Sequence, residues 1–152
     1  MPDSVTISNS SGLIALDQIG RLGVLNQLYG AVTIPRAVAD EIGLALPKWL
    51  SVRSIQNQSL VQSLQMSLGP GESEAIALAC ECSVSQVILD DKKARRVARQ
   101  LRLPVTGLQA ILLQAKQQGF IASIREAIAE LTAAEFFVSE SLIDEALRRA
   151  GE

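Results

Sequence analysis

Short β-branched runs, "VTI" at 5–7, "VTI" at 32–34 and "VIL" at 87–89, recur between longer segments whose apolar residues return every three or four positions. Few folds accommodate that alternation. Each parallel neighbour in a sheet needs a crossover long enough for a helix, so strands alternating with helices predict a parallel sheet covered on both faces. The 152 residues suit one domain large enough to bury a core. Aromatic residues make up 3% of the chain and apolar residues 48%, so Leu, Ile, Val and Ala must fill the interior. The expected class is α/β.

Punctuation divides the chain further. "SVTISNS" reads as a strand ending near Ser8, with Asn9 at its carboxyl end. Two short helices follow, closed by Gly30. "AVTIPRAVADEIG" gives a strand, a helix opened by Pro35, and an end near Gly43, with Glu41 in the last turn. "WLSVRSI" and "SLVQSLQMSL" read as a strand and a helix. A helix begins near Gly71 in "GPGESEAIALACEC". Then come a strand at Val87–Leu89, a basic helix, a strand around "LPVT" and a helix to Gly119. "SIRE" has the form of a capping box, with Ser123 as cap and Glu126 reaching back. "FFV" fits an edge strand or a buried turn, and "SESLIDEALRRAG" a final helix with its charges matched to the dipole. Residues 1–152 thus form a single domain, with 120–152 as a helical C-terminal extension packed on it.

Several chemistries are excluded. The chain has no histidine, which removes imidazole bases, Ser-His-Asp triads and the usual zinc sites. Cys80 and Cys82 lie about 200° apart on a helix, too divergent to pair or to share a metal, and read as core residues. No apolar run spans a bilayer, and "MPDSVTISNS" lacks the regions of a signal peptide, so no membrane association and a cytoplasmic location are expected. The net charge of −2 offers nucleic acid no global attraction, so any such binding needs a local patch.

One stretch supplies both charges. In "VILDDKKARRVARQLRLPV", Asp90 and Asp91 end a strand, where ligands bind in open α/β sheets, and six basic residues follow. On the basic helix Ala94, Val97, Ala98 and Leu101 form the packing face. Lys92, Arg95, Arg96 and Arg99, with Arg102 beyond, form a stripe of one sign suited to phosphate, although charge runs are more often solvated faces. On the helix from Gly71, Glu72 falls within the arc of Ala75, Leu78, Ala79 and Cys82, and Glu74 lies at its edge. A glutamate there needs backbone donors, a basic partner or a metal; acids in a first turn also simply complement the helix dipole. Glu41, Glu72 or Glu74, and Asp90 or Asp91, with Asn9 as a neutral oxygen donor, would suit Mg²⁺ or Mn²⁺.

The order "ISNSSGLIAL", "IPRAVADEI", "LGPGESEAIALA", "VILDDKKARRVA", "LPVTG" resembles the PIN domain, in a prokaryotic branch close to the VapC toxin ribonucleases, over about Val5 to Gly119. The resemblance implies a three-layer α/β/α, Rossmann-like fold and a divalent-metal-dependent ribonuclease that cleaves RNA. It places the family's acids on Asn9, Glu41, Glu72 with Glu74 as neighbour, and Asp91 beside Asp90. It matches Ser10 and Ser11 to small polar residues after the first strand, and Thr106 with Gly107 to the turn that closes the pocket. It also implies an antitoxin protein as partner and a homodimer. Asn9 stands where the family has Asp, one negative charge fewer, and Gly12 where the branch has proline. The first departure leaves open a catalytically weak module that binds RNA or a protein partner.

Overall fold

The computed structural model describes residues 4–43, 45–136 and 140–152. Among them the elements run β1 (Val5–Ser8), α1 (Ser10–Gln18), α2 (Gly23–Tyr29), β2 (Val32–Pro35), α3 (Arg36–Ile42), β3 (Leu50–Arg53), α4 (Gln58–Gln65), α5 (Pro70–Glu81), β4 (Val84–Ile88), α6 (Lys92–Gln100), β5 (Val105–Thr106), α7 (Leu108–Gln117), α8 (Ile124–Ala133) and α9 (Glu140–Ala150). The strands form one all-parallel sheet in the order β3-β2-β1-β4-β5, with Ile7 beside Thr33 and Val87. Helices cover both faces, which makes the fold a three-layer α/β/α sandwich. Among the described residues no helix is long and apolar enough to cross a membrane.

Side-chain alternation along the strands feeds two cores. Ile7, Val87 and Leu89 pack on one face with α4, α5 and α6. Ile88, Val32 and Ile34 belong to the other, with α1, α2, α7, α8 and α9. The period of two explains why Val87 and Ile88 part company. α5 is enclosed almost all round, since Ala75, Ile76, Ala77 and Leu78 are each 0% exposed. Alanines let it lie close to the sheet and to α3, and enlarging one would overpack the site by roughly 1–3 kcal/mol.

The chain runs outward from β1 through β2 to β3, then returns to place β4 on the other side of β1. The crevice at such a reversal, outside the strand carboxyl ends, is where open α/β sheets bind ligands. Here it lies between the ends of β1 and β4.

Some local expectations need correction. The strand read at Val87–Leu89 begins earlier, at Val84, and ends at Ile88, although Leu89 N–H still donates to the Thr106 carbonyl at 3.0 Å. Ser83 and Ser85 hid its start, because they face solvent at the strand's outer end. Cys80 is exposed at the end of α5, against the core reading, while Cys82 is half-buried and packs against the core at its edge. Of "FFV", Phe136 is half-buried just beyond α8, and Phe137 and Val138 lie outside the described residues.

The capping box is also built differently. Ser123 Oγ accepts from Glu126 N–H at 3.2 Å, but the carboxylate that satisfies the start of α8 belongs to Glu152. It accepts from Ser123 Oγ at 2.7 Å, Ile124 N–H at 2.7 Å, Arg125 N–H at 3.3 Å and Lys116 Nζ at 3.2 Å, tying the end of α9 to α7 and α8. The Ser123 hydroxyl and the Ile124 amide are the largest of the bonds that pull its carboxyl from the ordinary 4.5 down to about 2. A second tie, Arg21 to Glu130 at 2.8 Å, joins the turn after α1 to α8 and lowers the Glu130 carboxyl pKa.

Because the folded pKa of Glu152 lies below its unfolded value, its contribution is complete above about pH 5 and is lost as pH falls toward 2. Melting temperatures of the wild type and Glu152→Gln should therefore differ at pH 7 and converge by about pH 2–3. A difference that stays constant with pH would show that the carboxylate is not held this way.

Candidate active site

β1 delivers Asn9 to the crevice, with its backbone N–H bonded to the Ile88 carbonyl at 3.0 Å. Asn9 is the N-cap residue of α1, where an Asn side chain ordinarily accepts from a free helix N–H and contributes about 1 kcal/mol. Here it makes no such bond. The residue is 0% exposed, and neither Oδ1 nor Nδ2 has a hydrogen-bond partner among the described residues. Leaving a buried polar group unpaired costs roughly 1–3 kcal/mol. Packing thus holds this amide away from the bond its position would favour.

Its neighbour Ser10 donates from Oγ to the Glu41 carboxylate, which arrives from the last turn of α3. That carboxylate also lies against Gly71 at the start of α5, where a Cβ would fall 2.8 Å and 2.9 Å from its two oxygens. Only glycine permits the approach. Glu74 of α5 accepts from the Ala37 N–H at 3.0 Å. The bond satisfies a free donor in the first turn of α3, whose N-cap residue Pro35 makes no side-chain cap bond. It thereby steadies the helix that carries Glu41. Glu72 turns back over its own N-terminus, so that a Cβ on Gly69 would lie 2.7 Å from Oε2. It is half-buried, while Gly71 and Ser73 occupy the enclosed positions of that turn.

Across β1, the two aspartates divide between two helices. Asp90 Oδ1 accepts from Leu108 N–H, the first residue of α7, at 3.2 Å. Asp91 is the N-cap of α6, its Oδ2 accepting from Ala94 N–H at 2.9 Å. Arg95 leaves the basic row and turns inward: its Nη1 would meet a Cβ on Gly107 at 2.9 Å, and its Nε is buried without a hydrogen-bond partner among the described residues. Lys92, Arg96 and Arg99 stay on the solvent side and, with Gln100, line an open groove. Ser11 is half-buried in the first turn of α1. Thr106 directs its hydroxyl along the sheet to Gln86 Oε1 at 2.7 Å, and Gln86 Nε2 reaches Thr6 Oγ1 at 3.4 Å.

The crevice thus joins Asn9, Ser10, Glu41 and the start of α5 directly. Glu74, Asp90 and Asp91 each accept from a free N–H donor at a helix start, the attraction that backbone dipoles exert on any carboxylate nearby, while Glu72 lies over Gly69. Among the described residues no group of three or more His, Cys, Asp or Glu side chains stands close enough to hold a metal ion. The donors present nonetheless fit a hard cation: they are all oxygens, and the buried Asn9 Oδ1 is an acceptor in want of a partner. Ser73 escaped the sequence reading. It is 0% exposed with an unpartnered Oγ, and its signal is a hydroxyl three and four residues before the fully buried Ile76 and Ala77.

A family model described as a PIN domain matches residues 5–152. No curated protein and no solved structure matches the chain.

If the Asn9 amide is unpaired in solution, Asn9→Leu, which is similar in size and apolar, should stabilise the protein by about 1–3 kcal/mol. Urea unfolding measures this. Destabilisation of similar size would show that the amide has found partners.

Proposed function

Because the chain belongs to the PIN-domain family, whose members are generally nucleases, we propose that it is a divalent-metal-dependent endoribonuclease of the VapC type, acting in the cytoplasm. The proposal extends to the toxin of a toxin–antitoxin pair, with an antitoxin protein as partner and a homodimer as assembly. The observation that carries it is the Asn9 amide, buried without a partner beside the Ser10–Glu41 pair, at the crevice where the strand order reverses.

In this reading Asn9, Glu41, Glu72 and Asp91 hold Mg²⁺ or Mn²⁺, with Glu74 and Asp90 adjoining. When bound, the cation supplies an activated water and offsets the charge that develops on a phosphodiester. The protein's own groups prepare for that. Ser10 holds the Glu41 carboxylate against Gly71, and Glu74 anchors α3 through the Ala37 amide. Asp91 engages one oxygen in capping α6, so its position is fixed by the start of that helix. Ser10, Ser11 and Thr106 border the substrate, and Lys92, Arg95, Arg96 and Arg99 face its phosphates. Asn9 brings one negative charge fewer than an aspartate and holds a cation correspondingly less tightly.

A second reading, a catalytically weak module that binds RNA or a protein partner, has the same amide in its favour, together with the backbone bonds that already occupy Glu74, Asp90 and Asp91. Asn9→Asp separates the two. A large gain in divalent affinity and in cleavage over a silent wild type would favour the second.

Wild-type protein should cut RNA with Mg²⁺ or Mn²⁺ and stop in EDTA. Glu41→Gln and Asp91→Asn, the latter keeping the helix cap, should each lose about 100-fold or more in rate. Undiminished cleavage in both variants would refute these roles. Gly71→Ala should unfold at nearly the wild-type urea concentration, because the far end of a flexible glutamate can move aside, yet lose most of its cleavage as Glu41 leaves Ser10. Full activity in Gly71→Ala would mean that the position of Glu41 is immaterial.

A further inference from the structure

Charge is segregated along this chain far beyond the basic stripe. Residues 92–125 carry eight Lys or Arg and no Asp or Glu, while the rest carries all sixteen acids and six bases. Five of the eight lie on α6, and Arg102 follows its last turn. Arg102 is held at φ 61°, the left-handed conformation that glycine enters freely and other residues enter at a cost of about 1 kcal/mol or more. It is exposed, so its charge adds to the basic end of α6.

α6 has a direction as well as a charge. It starts at the carboxyl end of β4, beside the crevice, and runs back toward the amino end of β5. Lys92, Arg96 and Arg99 line its outer groove over seven residues, about 10 Å of helix, roughly the rise of three stacked nucleotides of one strand. Among the described residues no aromatic side chain that could stack on bases lines the groove: Tyr29, Trp49 and Phe136 pack against the core on the opposite face of the sheet.

We propose that this groove is a track for a single nucleic acid strand, leading away from the crevice along α6 and binding about three consecutive phosphates without selecting base or sugar. The inference rests on the ribonuclease reading for the identity of the strand as RNA. Its affinity comes from counterion release and grows with the length of strand that reaches past Arg99. Discrimination between RNA and DNA, or among sequences, then belongs to the crevice and not to the track.

The test is fluorescence anisotropy in EDTA, where nothing is cut, with labelled ribo-oligonucleotides of 3 and 12 residues and a deoxy 12-mer, over a series of KCl concentrations. The 12-mers should bind at least 10-fold more tightly than the 3-mer, and RNA and DNA alike within about 3-fold. Arg96→Ala/Arg99→Ala should weaken the 12-mer at least 10-fold and flatten the slope of log affinity against log salt by about 1.4, at roughly 0.7 for each phosphate no longer neutralised. Arg96→Lys/Arg99→Lys, equally exposed and still charged, should restore both. Unchanged affinity or slope in the alanine variant, or equal affinity for 3-mer and 12-mer, would overturn the track. Binding that behaves as expected while the same oligonucleotides stay uncut in Mg²⁺ would instead count against the ribonuclease reading alone.

Discussion

In a parallel sheet every strand runs the same way, so the helix that follows a strand begins at the same edge where the others begin. Each start exposes backbone N–H groups that the helix itself cannot satisfy. The polar half of this protein is arranged around those donors. Asp91 serves α6, Asp90 serves α7 and Glu74 serves α3; Glu152 does the same for α8 beside the last turn of α7, away from that edge. The acids cluster at one edge because the topology puts the positive ends of the helix dipoles there.

Asn9 stands apart from that pattern. It too precedes a helix and has the chemistry of a cap, yet it caps nothing and keeps both polar atoms buried. Next to it in the chain, Ser10 of α1 bonds Glu41 of α3, whose carboxylate lies against Gly71 of α5 in a contact that only glycine allows. A buried polar group left unsatisfied at a helix start departs from the pattern of the other caps and calls for an explanation of its own.

Much of this was legible beforehand because the signals were local. The "VTI" runs, Pro35 before α3, Gly30 and Gly43 at helix ends and the apolar periodicity of α5 and α7 fixed the elements, and their alternation fixed the layers. The acids and Asn9 could be placed at one edge from the same alternation. Which partner each would take could not. The Glu74–Ala37 bond spans 37 positions and the Glu152–Ile124 bond 28, and nothing in either neighbourhood announces the other. The inward turn of Arg95 depends on the absent side chain of Gly107, so a uniform basic stripe in the sequence divided into an outer row and one half-buried arginine. Glu72 was read onto the buried face, but Gly71 and Ser73 take the enclosed positions of that turn and Glu72 is half-buried.

The uneven spread of charge along the chain changes how the molecule behaves before any contact is made. With a net charge of −2 and eight of its fourteen bases in one acid-free segment, it is a weak anion that carries a local basic patch on α6. Beyond a Debye length, about 8 Å at physiological ionic strength, a polyanion hardly senses either property. Within that distance the patch on α6 attracts phosphate while the net charge repels it, so approach depends on orientation. For a polyanionic partner such a patch favours encounters with α6 foremost, so part of the orientational search is done before contact.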